Sequence, residues 1–282
     1  MGCVDFILNL AGVLLWIKWW SLPFDPIHKR TPATLVGTLR RAAPSHFRRW
    51  HLLLAIGGLL FLRAVFYWQI GSASTPAWVG KLHLETTVLT FASNSFGRML
   101  LFSTFSFGLA LGVFYVWLLL LSILAGPAAT EQPVHRLVRI PLGGMDRWPC
   151  LVKIISPFAG TALLWWLASW LLVRLEIVPR PVSAAHRIEE SLVIGLGSYL
   201  AWKFLAAALL VLRLLNTYIY FGKHPFWNYV NATAQVLLAP LQKIPLRAGR
   251  ADFAPVVGIV LVFFAGELLE RSLVYLYARL PF

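Results

Sequence analysis

Long apolar runs are the feature that most constrains this chain. Five of them approach the ~20 residues that an α-helix needs to cross a bilayer. They cover residues 51–70, 100–125, 154–173, 191–215 and 255–278. Only 13% of all residues are charged, whereas a typical soluble domain has about 25%. The sequence therefore predicts an all-α, polytopic membrane protein whose main solvent is lipid.

A sixth, weaker run covers residues 4–20 and contains Asp5, Asn9 and Lys18. A cleavable signal peptide has a basic stretch before its apolar core and a small-residue cleavage site after it, and neither is visible here. We therefore expect a retained segment and count about six transmembrane helices.

Basic residues are concentrated on one predicted side of the membrane. The loops between the first and second, third and fourth, and fifth and sixth runs carry fifteen bases against four acids, whereas the opposite side carries seven of each. The positive-inside rule places such basic loops in the cytoplasm. We expect a multi-pass protein of the bacterial inner membrane with both termini outside the cytoplasm. Basic loops attract anionic headgroups, so membrane lipids, and not nucleic acid, are the expected partners.

The predicted helices pair through their loops, because each basic loop joins two helices and each neutral loop separates one pair from the next. This predicts three helical hairpins, at residues 1–72, 99–178 and 188–282. Pro44, Pro141 and Pro245 recur at similar spacing in the basic loops, which indicates a tandem unit whose first copy is divergent. Residues 78–99 are expected to form an outside loop with a short strand or an interfacial piece.

An amphipathic segment is predicted at residues 224–241. Phe226, Val230, Ala234 and Leu238 recur at helical spacing, with asparagines and glutamines on the other face. Two placements stay open, in the headgroup layer or docked on the protein's own bundle. Pro240 is expected to end or kink this helix.

A Pro…Gly…Asp…Pro pattern occurs twice, in a first hinge at residues 139–149 and a second hinge at residues 243–255. Both copies keep an Asp three residues ahead of a Pro that leads into an apolar run. Such an Asp can cap the next helix and pair with a neighbouring Arg, while the Pro lies in the first helical turn. The alternative is a corner that docks a partner or a headgroup. The hinge residues are Pro141, Gly144, Asp146, Pro149, Pro240, Pro245, Gly249, Asp252 and Pro255, and the basic residues expected to face lipid are Arg139, Arg147, Lys243, Arg247 and Arg250.

Several charges lie inside the apolar runs, where such residues are costly and suggest function. The main ones are Arg63, Lys203, Glu267 and Arg271. Glu267 and Arg271 are four residues apart and are predicted to pair along one helix face. A bridge from Glu267 to Lys203 is predicted between the two helices of the third hairpin. A structural ion pair is the favoured interpretation, and an ion or proton path is the alternative.

The sequence carries no motif typical of catalysis or cofactor binding. All seven histidines fall in predicted loops or at helix ends, whereas haem ligands would lie within helices. The sequence lacks a zinc-binding His-Glu-x-x-His helix, a Gly-x-Ser-x-Gly elbow and a phosphate-binding Gly-Lys loop. Two cysteines, Cys3 and Cys150, give no framework for disulfides or for a metal site. We therefore expect no enzyme activity and no cofactor.

The third unit resembles the YggT family of integral membrane proteins. The family repeat has an Asn-Pro, a Thr, a Pro-Leu-x-Arg-Arg-x-x-Pro and a Gly-Gly-x-Asp-x-Ser-Pro before an apolar helix. Here the similar residues are His224-Pro225, Thr233, Pro240-Leu241, Pro245, Gly249, Asp252 and Pro255, with His224 in place of Asn, Gln242-Lys243 in place of the double Arg and Ala254 in place of Ser. In the second unit, Gly143-Gly144 and Asp146 are similar. A third hairpin would make the chain an extended member of the family.

The resemblance implies a role without catalysis. Relatives in chloroplasts and cyanobacteria are linked to the maturation of a b-type cytochrome and to thylakoid organisation, and bacterial relatives to osmotic tolerance and cell division. We expect a non-enzymatic membrane scaffold or assembly factor whose basic cytoplasmic hinges organise lipids or other integral membrane proteins. The alternatives are an ion channel or transporter in osmotic adaptation and an accessory subunit of a membrane complex.

Overall fold

The structure is a computed structural model. It describes residues 2–21, 49–73, 78–84, 87–125, 133–181, 183–219, 224–241, 247–248 and 251–279, with residues 247–248 and 251–252 described through their backbone. Helices dominate these ranges. They are α1 (Gly2–Ser21), α2 (Arg49–Ala73), α3 (Phe96–Leu124), α4 (Pro133–Leu142), α5 (Cys150–Arg174), α6 (Ala184–Gly197), α7 (Ala201–Tyr218), α8 (Pro225–Leu238) and α9 (Ala254–Ala278).

Short elements connect some of the helices. A two-stranded sheet of β1 (Val79–Leu84) and β2 (Thr87–Ala92) precedes α3, in the region where the sequence predicts a short strand or an interfacial piece. Turns of 3₁₀-helix cover Gly143–Arg147 and Ser198–Leu200. A ribbon of β3 (Arg247–Ala248) and β4 (Ala251–Asp252) precedes α9.

Five helical segments are long and apolar enough to cross a membrane, which supports an all-α, multi-pass membrane protein. They are Gly2–Ser21, Arg49–Gly71, Phe96–Leu124, Cys150–Arg174 and Ala184–Tyr218, the last made of α6, a 3₁₀ turn and α7. The expected sixth, α9, forms a helix of 25 residues but is not among the five. It differs from the five segments because Glu267, Glu270 and Arg271 place three charges within its apolar stretch.

The chain divides into two compact units. The first comprises Met1–Gly80 and Ala92–Leu111, so it includes α1, α2 and the first part of α3. Here α1 packs along α2, and Gly12 lies so close to the Phe107 ring that a Cβ there would clash at 2.7 Å. The three predicted hairpins are a different division of the chain, and they stay a prediction.

The second unit comprises Lys81–Phe91 and Gly112–Phe282. Within it α5 packs along α6, and α7 packs along both α8 and α9. Gly195 of α6 allows this close approach, because a Cβ there would lie 2.9 Å from the Phe158 carbonyl oxygen. Two indole N–H groups tie α3 to α7, since Trp117 donates to the Ala201 carbonyl and Trp202 donates to the Val116 carbonyl.

The predicted amphipathic segment forms α8, and one of its faces is buried in the protein. Tyr229, Val230, Thr233, Ala234 and Leu238 are buried against α7, α9 and α4. The helix is therefore docked on the protein's own bundle. It begins after His224, whose Nδ1 accepts a hydrogen bond from the Phe226 N–H, and ends at Leu238, before Pro240, as predicted.

Candidate functional site: the Asp146 hinge

The first hinge is a continuous turn between α4 and α5. Pro141 lies in the last turn of α4, and a 3₁₀ turn from Gly143 to Arg147 follows. Gly143 has φ +53°, a left-handed conformation that favours glycine, whereas Gly144 is exposed without that constraint. Pro149 is the N-cap residue of α5 and has an extended backbone.

The carboxylate of Asp146 connects the three helices around this turn. Its Oδ2 accepts a hydrogen bond from Arg139 Nε of α4 at 2.6 Å, and its Oδ1 accepts one from Ser122 Oγ of α3 at 2.6 Å. Lys153 Nζ of α5 donates to the same Ser122 Oγ at 2.8 Å and lies 4.0 Å from Asp146 Oδ1. The side chain of Asp146 is only 8% exposed, so the hinge is fixed from within.

This geometry corrects the expected role of Asp146 as a helix cap. The N-cap of α5 is Pro149, and no side chain caps it. Asp146 lies inside the 3₁₀ turn, which directs its carboxylate to α3 and α4. Its ionic partner is Arg139, seven residues earlier, and not the adjacent Arg147. The prediction failed because capping is a local pattern, whereas this contact depends on how α3 and α4 pack.

Burial and neighbouring charges shift the pKa values of the titratable groups around Asp146. Burial alone would raise the pKa of the Asp146 carboxyl, but hydrogen bonds from Arg139 and Ser122 hold it below its usual value. His135 is 2% exposed, with Nε2 4.0 Å from Asp146 Oδ1. Burial lowers the pKa of His135, and the neighbouring charges of Arg139 and Lys153 lower it further, against the opposing effect of Asp146. Burial and the charge of Asp146 raise the pKa of Tyr229 to about 12.

The outer side of the hinge has a different character, and we call it the hinge surface. It combines exposed bases with exposed apolar side chains, namely Arg136, Leu137, Met145, Arg147, Trp148 and Leu151. Within the described part of the chain, Arg136 and Arg147 form no ion pair. The hinge thus has bases paired with Asp146 around its interior and a cationic, partly apolar exterior.

The second hinge has another backbone. Arg247 and Asp252 face each other across the antiparallel ribbon of β3 and β4, where the first hinge has a 3₁₀ turn. The N-cap of α9 is Phe253, again without a side-chain cap, and Pro255 lies in the first helical turn as predicted. Lys243, Pro245, Gly249 and Arg250 lie outside the described residues, as do the side chains of Arg247 and Asp252.

Arg63 of α2 is the centre of a second polar cluster, which lies within the first unit. Its side chain is fully buried and donates to Asp5 and Asn9 of α1 and to Ser106 of α3. The Tyr67 hydroxyl also donates to Asp5, at 2.7 Å. The sequence reasoning noted these charges but did not pair Arg63 with Asp5. A signal was present, because Asp5 with Asn9 and Arg63 with Tyr67 are polar pairs four residues apart on otherwise apolar helices.

The charges of α9 agree only in part with expectation. The predicted pair of Glu267 and Arg271 forms, with Arg271 Nε donating to Glu267 Oε1 at 2.9 Å. The predicted bridge from Lys203 to Glu267 is wrong, because Lys203 Nζ binds Glu270 Oε2 at 2.8 Å. The stem of Lys203 lies across Gly266, and this register brings the side chain to Glu270. Within the described ranges, no three His, Cys, Asp or Glu side chains are grouped as a metal site would require.

Comparison with protein-family models, with curated proteins and with solved structures finds no match to this chain. The resemblance to the YggT family therefore stays a prediction based on the residues that carry it.

Proposed function

We propose that this protein is a non-enzymatic integral membrane scaffold or assembly factor that organises lipids and other integral membrane proteins through the surface of its first hinge. The observation that carries the proposal is the contrast within that hinge. Its interior charges bind one another around Asp146, while Arg136 and Arg147 outside have no acidic partner among the described residues.

The composition of the hinge surface suits a membrane interface. Each exposed Lys or Arg near an anionic bilayer contributes about 1 kcal/mol of attraction. Trp148, 39% exposed, and Leu151, 72% exposed, add apolar area beside the bases, and tryptophan prefers the headgroup level. A surface with both exposed bases and exposed apolar side chains is suited to bind acidic lipid headgroups close to the helices of the protein.

The Asp146 network supports a scaffold because it makes this surface rigid. Ser122 of α3 binds both Asp146 of the 3₁₀ turn and Lys153 of α5, and Arg139 of α4 binds Asp146, so the bases on α4 and the 3₁₀ turn keep a fixed spacing. A rigid surface loses less conformational entropy on binding than a flexible loop does.

Retention of anionic lipid tests the lipid part of the proposal. Purified protein would be exchanged into mixed micelles of phosphatidylglycerol and phosphatidylcholine, and the retained lipids counted by mass analysis. Arg136→Gln with Arg147→Gln removes two charges at about 1 kcal/mol each, so the preference for phosphatidylglycerol should fall roughly 30-fold. Arg180→Gln with Arg174→Gln, at the opposite end of α5, is the matched control. Equal losses in both variants would contradict the hinge surface as the lipid site.

The protein part of the proposal needs a second measurement. Membrane proteins that co-purify with the tagged chain from its native membrane would be identified for the wild type, the hinge variant and the control variant. A scaffold should lose a defined set of partners only in the hinge variant. Recovery of one stoichiometric complex would instead favour an accessory subunit.

The pair of Lys203 and Glu270 favours one alternative, an ion channel or transporter. It lies between helices at a position where charges often mark ion paths. The variants Lys203→Met and Glu270→Gln should leave ion flux in liposomes unchanged if the pair is structural. Loss of flux with intact folding would favour the transporter and contradict the scaffold.

A further inference from the structure

The charged turn of α9 lies at membrane depth, as its contact with α7 shows. Lys203 is 15 residues before the end of the span Ala184–Tyr218, or about 22 Å along it, and about 28 Å from its start. The whole span is about 52 Å long, so any placement of a hydrocarbon layer ~30 Å thick along it includes Lys203. Glu270 binds Lys203 at 2.8 Å and therefore shares that depth. Glu267 and Arg271 lie within one helical turn of Glu270.

The two outer charges at this depth face away from their own unit. The side chain of Glu267 is 56% exposed and that of Arg271 is 77% exposed. Lipid tails offer neither hydrogen bonds nor counter-charges to such groups, so intramembrane charges normally face protein or water. The ion pair between Glu267 and Arg271 reduces the cost of each charge, but it leaves their outer surface to be covered.

The neighbours of these charges form a continuous stripe along α9. Val260, Phe264, Glu267, Arg271 and Val274 follow one another at alternating spacings of four and three residues, and all five are exposed. This spacing is typical of a helix that packs against another helix with a small left-handed crossing angle. We call it the α9 stripe. A partner helix with the same arrangement, apolar at both ends and charged at the centre, would complement it.

We propose that the α9 stripe binds the same stripe of a second copy of this chain, with Glu267 of each copy paired to Arg271 of the other. A two-fold axis along the membrane normal places identical residues at equal depth in both copies. Each Glu267 then lies one helical turn from Arg271 of the second copy, so a Glu and an Arg four residues apart form a self-complementary pair. Charges at this depth are then covered by protein, and Val260, Phe264 and Val274 pack on either side.

Charge exchange between copies tests the proposal. Copies with two different affinity tags would be expressed together in membranes, and capture of one tag would report the other. Glu267→Arg makes the centre of the stripe wholly basic and Arg271→Glu makes it wholly acidic, so each variant should lose at least ten-fold in capture of itself. Expressed together, the two variants should capture each other at wild-type levels. A chain with both substitutions keeps the complementarity and should also self-associate.

Cross-linking locates the contact. In a background with Cys3→Ser and Cys150→Ser, Phe264→Cys should form a disulfide between copies on mild oxidation. Leu164→Cys on α5 is the control, because Leu164 is 68% exposed and Phe264 is 66% exposed, and it should form no disulfide between copies. The proposal is overturned if wild-type copies do not capture each other, or if the basic and acidic variants fail to restore capture when combined. Equal cross-linking at both positions would also overturn it.

Discussion

Two polar clusters connect helices in this protein, and they differ in how their charges meet the surroundings. Arg63 is fully buried, and its partners come from two other helices, α1 and α3. Arg139 of the first hinge is 56% exposed, although the Asp146 that it binds is almost buried. The guanidinium of Arg63 is held inside the first cluster, whereas the guanidinium of Arg139 lies at the surface of the second. The comparison indicates that the first cluster depends on its pairing and the second can exchange its base for water.

The largest effect should follow from Asp5→Leu, which leaves the buried guanidinium of Arg63 without its carboxylate. Breaking a buried ion pair from one side costs about 3–5 kcal/mol, so the melting temperature of the purified protein should fall sharply. The double variant Asp5→Leu with Arg63→Met removes both charges and should recover most of the loss. Equal destabilisation by the single and double variants would contradict the ion pair as the cause.

Asp146→Asn should have a smaller effect on stability. It removes the negative charge and replaces one of the two acceptor oxygens with an NH2 donor, so either Arg139 or Ser122 loses its acceptor. The exposed Arg139 can turn to water, and Lys153 keeps its bond to Ser122. The loss of a hydrogen-bonded buried carboxylate should cost about 1–3 kcal/mol, measured by thermal unfolding in detergent. A loss as large as that of Asp5→Leu would contradict the proposed difference between the clusters.

Acid should weaken the hinge cluster through His135. The folded pKa of His135 lies below its ordinary 6.5, so the unfolded chain takes up a proton first, and stability that is present above pH 6.5 is lost as the pH falls. The size is about 1.4 kcal/mol for each pH unit between the two pKa values. The pKa of Asp146 is lowered from 3.8, so its contribution is lost only at much lower pH.

His135→Gln should therefore flatten the fall in melting temperature between pH 7 and pH 5. His51→Gln is the control, because His51 is exposed at the start of α2. An unchanged pH profile in His135→Gln would show that the pKa of His135 is the same in the folded and the unfolded chain, and would contradict the lowered pKa.

The smallest effect on stability should distinguish Arg139, the observed partner of Asp146, from Arg147, the partner that the sequence predicts. Arg139→Gln should cost about 0.2–1 kcal/mol, the range for exposed ion pairs, whereas Arg147→Gln should leave the melting temperature unchanged. High salt should reduce the cost of Arg139→Gln. A larger fall in melting temperature for Arg147→Gln than for Arg139→Gln would instead support the sequence prediction, in which Asp146 caps α5 and pairs with Arg147.

Local patterns in the sequence were sufficient for several elements. Of the six apolar runs, five form helices that can cross a membrane, the weak first run among them and the run at residues 255–278 not. Helical spacing predicted α8, its end before Pro240 and the pair of Glu267 with Arg271. These features depend on residues within a few turns of one another, where spacing alone fixes which side chains meet.

Patterns failed where two helices meet. The sequence paired Lys203 with Glu267, but the packing of Lys203 on Gly266 brings it to Glu270. It assigned Asp146 to a cap, but α3 and α4 supply Ser122 and Arg139. A shift of about one turn between two helices changes the partner of Lys203, and the packing of α3 and α4 around the turn sets the partners of Asp146. No local spacing encodes either arrangement.

The sequence by itself determined a helical membrane chain with basic loops, because the length of each apolar run and the sign of each loop are properties of neighbouring residues. Only the tertiary structure shows which charges pair between different helices. Asp5 and Arg63 are 58 residues apart in the chain, and Lys203 and Glu270 are 67 apart. Such pairs form only once packing has fixed the register between helices, and that register depends on the shape of the apolar side chains between them.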